Sequence, residues 1–143
     1  MKLDAAAFVG DETLLSALKD RSTPLDCGDG RVLFRQDDSP DGLYILHDGN
    51  VHLTMCSPDG ELVMDIPAHP GSLLGLPGCV SGIEYSLSAT ARKGASVSFV
   101  SRDEFSRLML QEPSIAVMIL KVLAAEVRTA RLAAADAETV VSG

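Results

Sequence analysis

The sequence predicts an α+β fold that is mainly β: a sandwich or roll of antiparallel strands over about residues 23–101, set between helical segments at both ends. Three observations carry this. From Thr23 to Ser101 short apolar runs are cut by Gly28, Gly30, Pro40, Gly42, Gly49, Pro58-Asp59-Gly60, Pro67, Pro70-Gly71 and Gly94. Within that stretch an Asp-Gly pair, Asp48-Gly49, separates two alternating runs, and both residues of such a pair tolerate positive φ. Beyond Ser101 the apolar spacing changes to that of helices. All 143 residues read as one domain.

Taken in order, Leu3 to Lys19 reads as short helical pieces, with Asp11 as N-cap before Leu14, Leu15 and Leu18. Two short strands then flank the turn Asp37-Asp38-Ser39-Pro40-Asp41, and Asp48-Gly49 predicts a tight hairpin into a third strand, Asn50 to Cys56. Ile83 to Ala91 and Ala95 to Val100 read as the last two strands, the second with Val97 and Phe99 on the face opposite Ser96 and Ser98. Ser101-Arg102-Asp103-Glu104 is a capping box that opens a helix through Phe105, Leu108, Met109 and Leu110. Pro113 starts a longer helix, at a position where its missing N–H is harmless. The two helices are expected over about residues 102–135, with the tail beyond Leu132 frayed.

The last helix carries two apolar stripes. Ala116, Leu120, Leu123, Val127, Ala130 and Ala134 recur at alternating spacings of four and three, the pattern of a coiled-coil seam. Ile115, Met118, Ile119 and Val122 form a second stripe, suited to covering the strands. One stripe then remains for a partner, which predicts a homodimer with Leu120, Leu123, Val127 and Ala130 at its interface.

Composition narrows the function. Twelve basic against twenty acidic residues give a net charge of −8, which argues against a nucleic-acid surface. Cys27, Cys56 and Cys79 are odd in number and widely spaced, so reduced thiols in a cytoplasmic protein are expected, with neither a disulfide frame nor a zinc site. No apolar run approaches the roughly 18 residues of a membrane span, and no signal-peptide core opens the chain. His47, His52 and His69 lack the alternating spacing of a metal site, and no nucleophile–base arrangement is present, so no metal and no catalytic residue is predicted.

The order of strand, acidic turn, Leu43-Tyr44-Ile45-Leu46 and then Gly49-Asn50-Val51-His52-Leu53 resembles the opening of a cyclic nucleotide-binding domain of the Crp/Fnr type. The resemblance runs from about Phe8 to Leu132 and implies a double-stranded β-helix, a jelly-roll-like β-roll, flanked by N-terminal helices and a long C-terminal dimerisation helix. It also implies a phosphate-binding cassette, a short helix of the form Gly-x-x-(Phe/Leu)-Gly-Glu-Leu followed by Arg-Ser/Thr-Ala. Its Glu takes the ribose hydroxyl and its Arg pairs with the cyclic phosphate. The matching stretch is Gly71-Ser72-Leu73-Leu74-Gly75-Leu76-Pro77, then Tyr85-Ser86. Gly71 and Gly75 fall on the family glycines; Leu76 stands where the Glu should be and Tyr85 where the Arg should be.

Those departures change the expected chemistry. Between Gly71 and Ala91 Glu84 is the one charged residue, and there is no Lys or Arg. A buried phosphate without a cationic partner is disfavoured, and an Arg–phosphate pair is worth about 1.5–3 kcal/mol. Arg92 and Lys93, just beyond, are the local substitutes. The expectation is therefore a regulatory, ligand-sensing domain with a degenerate cassette that does not take cyclic AMP in the usual way. Its candidate pocket comprises Gly71, Leu74, Gly75, Leu76, Tyr85 and Ser86. A genuine cyclic nucleotide receptor with an altered cassette, and a purely structural dimerisation module in which Leu76 and Tyr85 fill the pocket, are the alternatives. No cofactor is implied beyond a cyclic nucleotide or other small ligand. Too few residues follow Arg131 for a helix-turn-helix, so direct DNA binding by this chain is not expected.

Overall fold

A computed structural model describes residues 11–125. Eight antiparallel strands make two four-stranded sheets, ordered β1-β8-β3-β6 and β2-β7-β4-β5. The strands are β1 (Thr23–Leu25), β2 (Gly30–Phe34), β3 (Gly42–Asp48), β4 (Val51–Cys56), β5 (Leu62–Ala68), β6 (Leu73–Leu74), β7 (Ser88–Arg92) and β8 (Ser96–Ser101). Four helices accompany them among the described residues: α1 (Glu12–Lys19), α2 (Leu76–Ser81), α3 (Arg102–Gln111) and α4 (Pro113–Ala125).

The pairing is that of a jelly roll. β1 pairs with β8, β2 with β7, β3 with β6 and β4 with β5, so the second half of the chain runs back along the first. The Ser57–Glu61 turn between β4 and β5 is the fold-back point; there the Ser57 N–H donates to the Glu61 carbonyl at 2.8 Å. The mainly β roll with flanking helices expected from the sequence is the fold observed.

Two sequence expectations are corrected. β3 and β4 are not a hairpin: β3 lies beside β8 in one sheet and β4 beside β7 in the other. Asp48-Gly49 is a corner at which one long ribbon crosses between sheets, and β7–β8 bends alongside it. Gly49, at φ +86°, lies so close to Ala95 that a Cβ would fall 2.7 Å from the Ala95 Cα. Turn chemistry is the same for a corner and a hairpin, and the distant partner strand decides between them. The segment 83–87 is also not strand; β7 begins at Ser88. Its backbone is drawn off the ladder because the Tyr85 N–H donates to the Asp38 carbonyl at 3.0 Å and the Asp37 N–H donates to the Tyr85 carbonyl at 2.8 Å.

Apolar burial falls on both faces of the first sheet. Tyr44 and Leu46 of β3 point into the roll with Phe34, Leu53 and Ala89. Leu43 and Ile45, one residue out of phase, pack against the helices with Leu14, Leu18, Phe105 and Leu108. This two-sided burial explains why Leu43 to Leu46 is an unbroken apolar run. Ser98, expected on a polar face, is buried, and its hydroxyl is 2.7 Å from His47 Nε2.

The helix signals match local geometry. The Asp11 carboxylate accepts from the Leu14 N–H at 2.8 Å and the Ser101 hydroxyl from the Glu104 N–H at 3.2 Å, so both N-caps act as read. On α4, Ile115, Ile119 and Val122 are buried in the helix-side core, whereas Leu120 is 64% exposed and Val117 53%. Leu123 is half-buried. Val127 and Ala130 lie outside the described residues, as do Ala134 and the predicted helical piece before Asp11.

Candidate functional site

Gly71 opens the cassette with φ +90°, and its N–H donates to the Leu46 carbonyl at 2.7 Å. Two residues of β6 follow, then Gly75 in the left-handed region at φ +79° as N-cap of α2. Only glycine holds that conformation cheaply, and Pro77 in the first turn fixes the helical φ. Gly82, at φ +76°, ends the helix with its N–H on the Gly78 carbonyl at 2.8 Å.

The candidate residues divide: Leu74 and Gly75 lie with Tyr85, whereas Leu76 and Ser86 do not. Leu74 is buried inside the roll, while Leu76 is fully buried on the other side, in the helix-side core with Cys79 and Phe105. Ser86 is exposed. Tyr85 is 3% exposed and belongs to the roll interior, so Leu76 and Tyr85 sit in different clusters.

Tyr85 organises this end of the roll. Its ring stacks on Phe34 with centroids 4.1 Å apart and planes at 23°. A Cβ on Gly75 would lie 2.8 Å from its ring, and one on Gly78 3.1 Å, so both glycines leave room for the tyrosine. The hydroxyl donates to the Gly42 carbonyl at 2.7 Å and faces Asp41 Oδ1 at 3.0 Å. Burial, then the Asp41 charge, push the Tyr85 pKa well above its ordinary value. Burial likewise raises Tyr44 to about 12 and the Cys79 thiol to about 12.

The cation that the structure bonds to α2 is Arg102, and it sits at the wrong end for an anion. Its Nε donates to the Cys79 carbonyl at 3.1 Å, and its guanidinium lies over Gly82. Its N–H donates to the Asp41 carbonyl at 3.1 Å, which ties the start of α3 to the loop beside Tyr85. Lys93 lies 3.9 Å from Asp29, and Arg92 ends β7 opposite Gly30. Among the described residues no three of His, Cys, Asp and Glu are grouped to hold a metal. No single helix among them is long and apolar enough to cross a membrane.

Sequence reasoning missed Phe34, Asp41, Gly42, Gly78 and Arg102. Apart from Gly78 and the capping-box position of Arg102, these residues lie far along the chain from the cassette, and only the folded roll brings them to it.

Residues 26–112, more than half of the chain, match the family described as the cyclic nucleotide-binding domain. The chain belongs to that family. It is 29% identical over 118 residues to the HTH-type transcriptional regulator Cmr of Mycobacterium tuberculosis, covering 82% of this chain and 48% of that one. The chain thus spans about half the length of the curated relative it matches. Among solved structures it resembles the Thermus thermophilus catabolite activator protein, with TM-score 0.72, 23% identity, and coverage of 92% of this chain and 59% of the other. It also resembles a protein from work on a cyclic-GMP-dependent signalling pathway in bacterial phytopathogenesis, with TM-score 0.73, 20% identity, and coverage of 83% and 94%. At those identities the structural likenesses speak for the fold.

Proposed function

We propose that this chain is a non-enzymatic regulatory domain of the cyclic nucleotide-binding type whose cassette does not take cyclic AMP in the usual way. The observation that carries this reading is the engagement of Tyr85: where the family pattern has a phosphate-binding Arg, a buried phenol is already stacked on Phe34 and bonded to Gly42 and Asp41. Leu76, at the family's Glu position, packs towards the helices. A phosphate there would meet no cation and would face the Asp41 carboxylate. The acidic charge balance favours a small-molecule or protein partner in the cytoplasm over nucleic acid.

The domain pairs with a second copy through α4. The buried side of that helix is committed to its own roll, and Leu120 and Val117 are left on the opposite side. A parallel pairing about a two-fold axis covers both copies at once.

A genuine receptor with an altered cassette is the second reading, favoured by the family match itself. Equilibrium dialysis against labelled cyclic AMP, run on the wild type and on Tyr85→Arg, separates the two. Retention by the variant alone is expected; equal retention by the wild type favours the receptor.

A further inference from the structure

We infer that Tyr85 is a gate: its side chain is the internal occupant of an aromatic slot, and a flat ligand of the phenol class takes its place when loop 82–87 swings outward. This rests on the reading that the cassette is not a cyclic nucleotide site. The slot has the parts of a binding site. Phe34 supplies a stacking face, Gly75 and Gly78 supply a backbone wall as close as ring thickness allows, and two acceptors, the Gly42 carbonyl and Asp41 Oδ1, receive one donor at the far end. A single ring bearing one hydroxyl satisfies all of them. With no basic side chain bonded there, the site selects against phosphate.

The loop that carries the ring is built to move. Gly82, Ile83, Glu84 and Ser86 are all exposed, Ile83 at 71%, and none joins a sheet. Tyr85 is the one fully buried side chain between α2 and β7, and Gly82 at φ +76° is a hinge at one end. Its two backbone partners, Asp37 and Asp38, lie in an exposed loop where Asp37 itself holds φ +73°. Leu87, partly buried against the roll interior, is the segment's other apolar anchor, so releasing the Tyr85 and Leu87 side chains and the two backbone hydrogen bonds frees the segment. Because the tethered ring competes at an effective concentration of about millimolar or more, external phenols bind the wild type weakly, and removing the ring strengthens them.

The probe is p-cresol, the tyrosine side chain itself, titrated into the full chain while amide hydrogen exchange is followed residue by residue. In the wild type, saturating p-cresol should speed exchange in 82–87 and 37–41 and leave α1 unchanged. Tyr85→Ala should bind it at least about tenfold more tightly than the wild type, and bind toluene, which lacks the hydroxyl, about tenfold more weakly than p-cresol. If p-cresol leaves wild-type loop exchange unchanged up to its solubility, Tyr85 is a fixed core residue and the gate is wrong, whether or not the variant folds. Cyclic AMP runs in parallel: its binding would overturn the reading of the cassette, whereas failure of p-cresol alone overturns only the gate.

Discussion

Tyr85 lies on Phe34 with ring centroids 4.1 Å apart, and its hydroxyl reaches the Gly42 carbonyl at 2.7 Å, so one side chain joins β2, the acidic loop and α2. Tyr85→Phe keeps the stack and removes the bond, leaving a buried carbonyl without its donor. We expect a loss of about 1–2 kcal/mol, read as a lower midpoint in urea unfolding with the slope unchanged. An unchanged midpoint would mean that a water or another N–H supplies the carbonyl with a donor once the phenol is gone.

Alkaline pH should expose the same site. Burial raises Tyr44 from 10.0 to about 12, and Tyr85 is raised by burial and by Asp41. A folded pKa above the unfolded value means that the neutral phenol favours the folded state. That stability is fully present below 10.0 and is lost as pH climbs through about 12. Tyrosinate absorbance should therefore stay flat near 10.0 and rise together with loss of structure. Since Tyr44 and Tyr85 are the only two tyrosines, an ordinary titration near 10.0 in folded protein would contradict the buried placement of both.

Arg102 caps α2 through Nε to the Cys79 carbonyl. Arg102→Ala should cost about 1–2 kcal/mol. It should also raise amide exchange in Leu76–Gly82 before any change in β4 or β5. Uniform acceleration across the roll would indicate a global role instead.

The pairing surface on α4 makes its own demand. Leu120→Glu places a charge on an exposed position, so the fold is retained while the apolar contact is lost. Light scattering of the wild type at about 10 μM should give twice the 15.1 kDa chain mass, and the variant the chain mass. A monomeric wild type would contradict pairing.

Signals confined to a few neighbouring residues were legible in the sequence. The Asp11 and Ser101 caps and the start of α4 at Pro113 depend on contacts within a turn or two of helix. The change from strand to helical code at Ser101 was equally plain. What failed depended on distant partners. Asp48-Gly49 looks the same whether the next strand folds back or crosses to a second sheet. Tyr85 sits in an apolar run that reads as strand, yet its backbone bonds go to Asp37 and Asp38, nearly fifty residues earlier. The cassette positions could be matched to a family pattern, but not the direction each side chain takes; Leu76 and Tyr85 face opposite cores because α2 turns between them.

The central claim is that a cassette with Leu76 and Tyr85 in place of an acid and a base does not hold a cyclic nucleotide. Isothermal titration of the wild-type protein with cyclic AMP and with cyclic GMP tests it most directly. No binding tighter than about 100 μM is predicted for either. A dissociation constant in the low micromolar range for one of them would contradict the account.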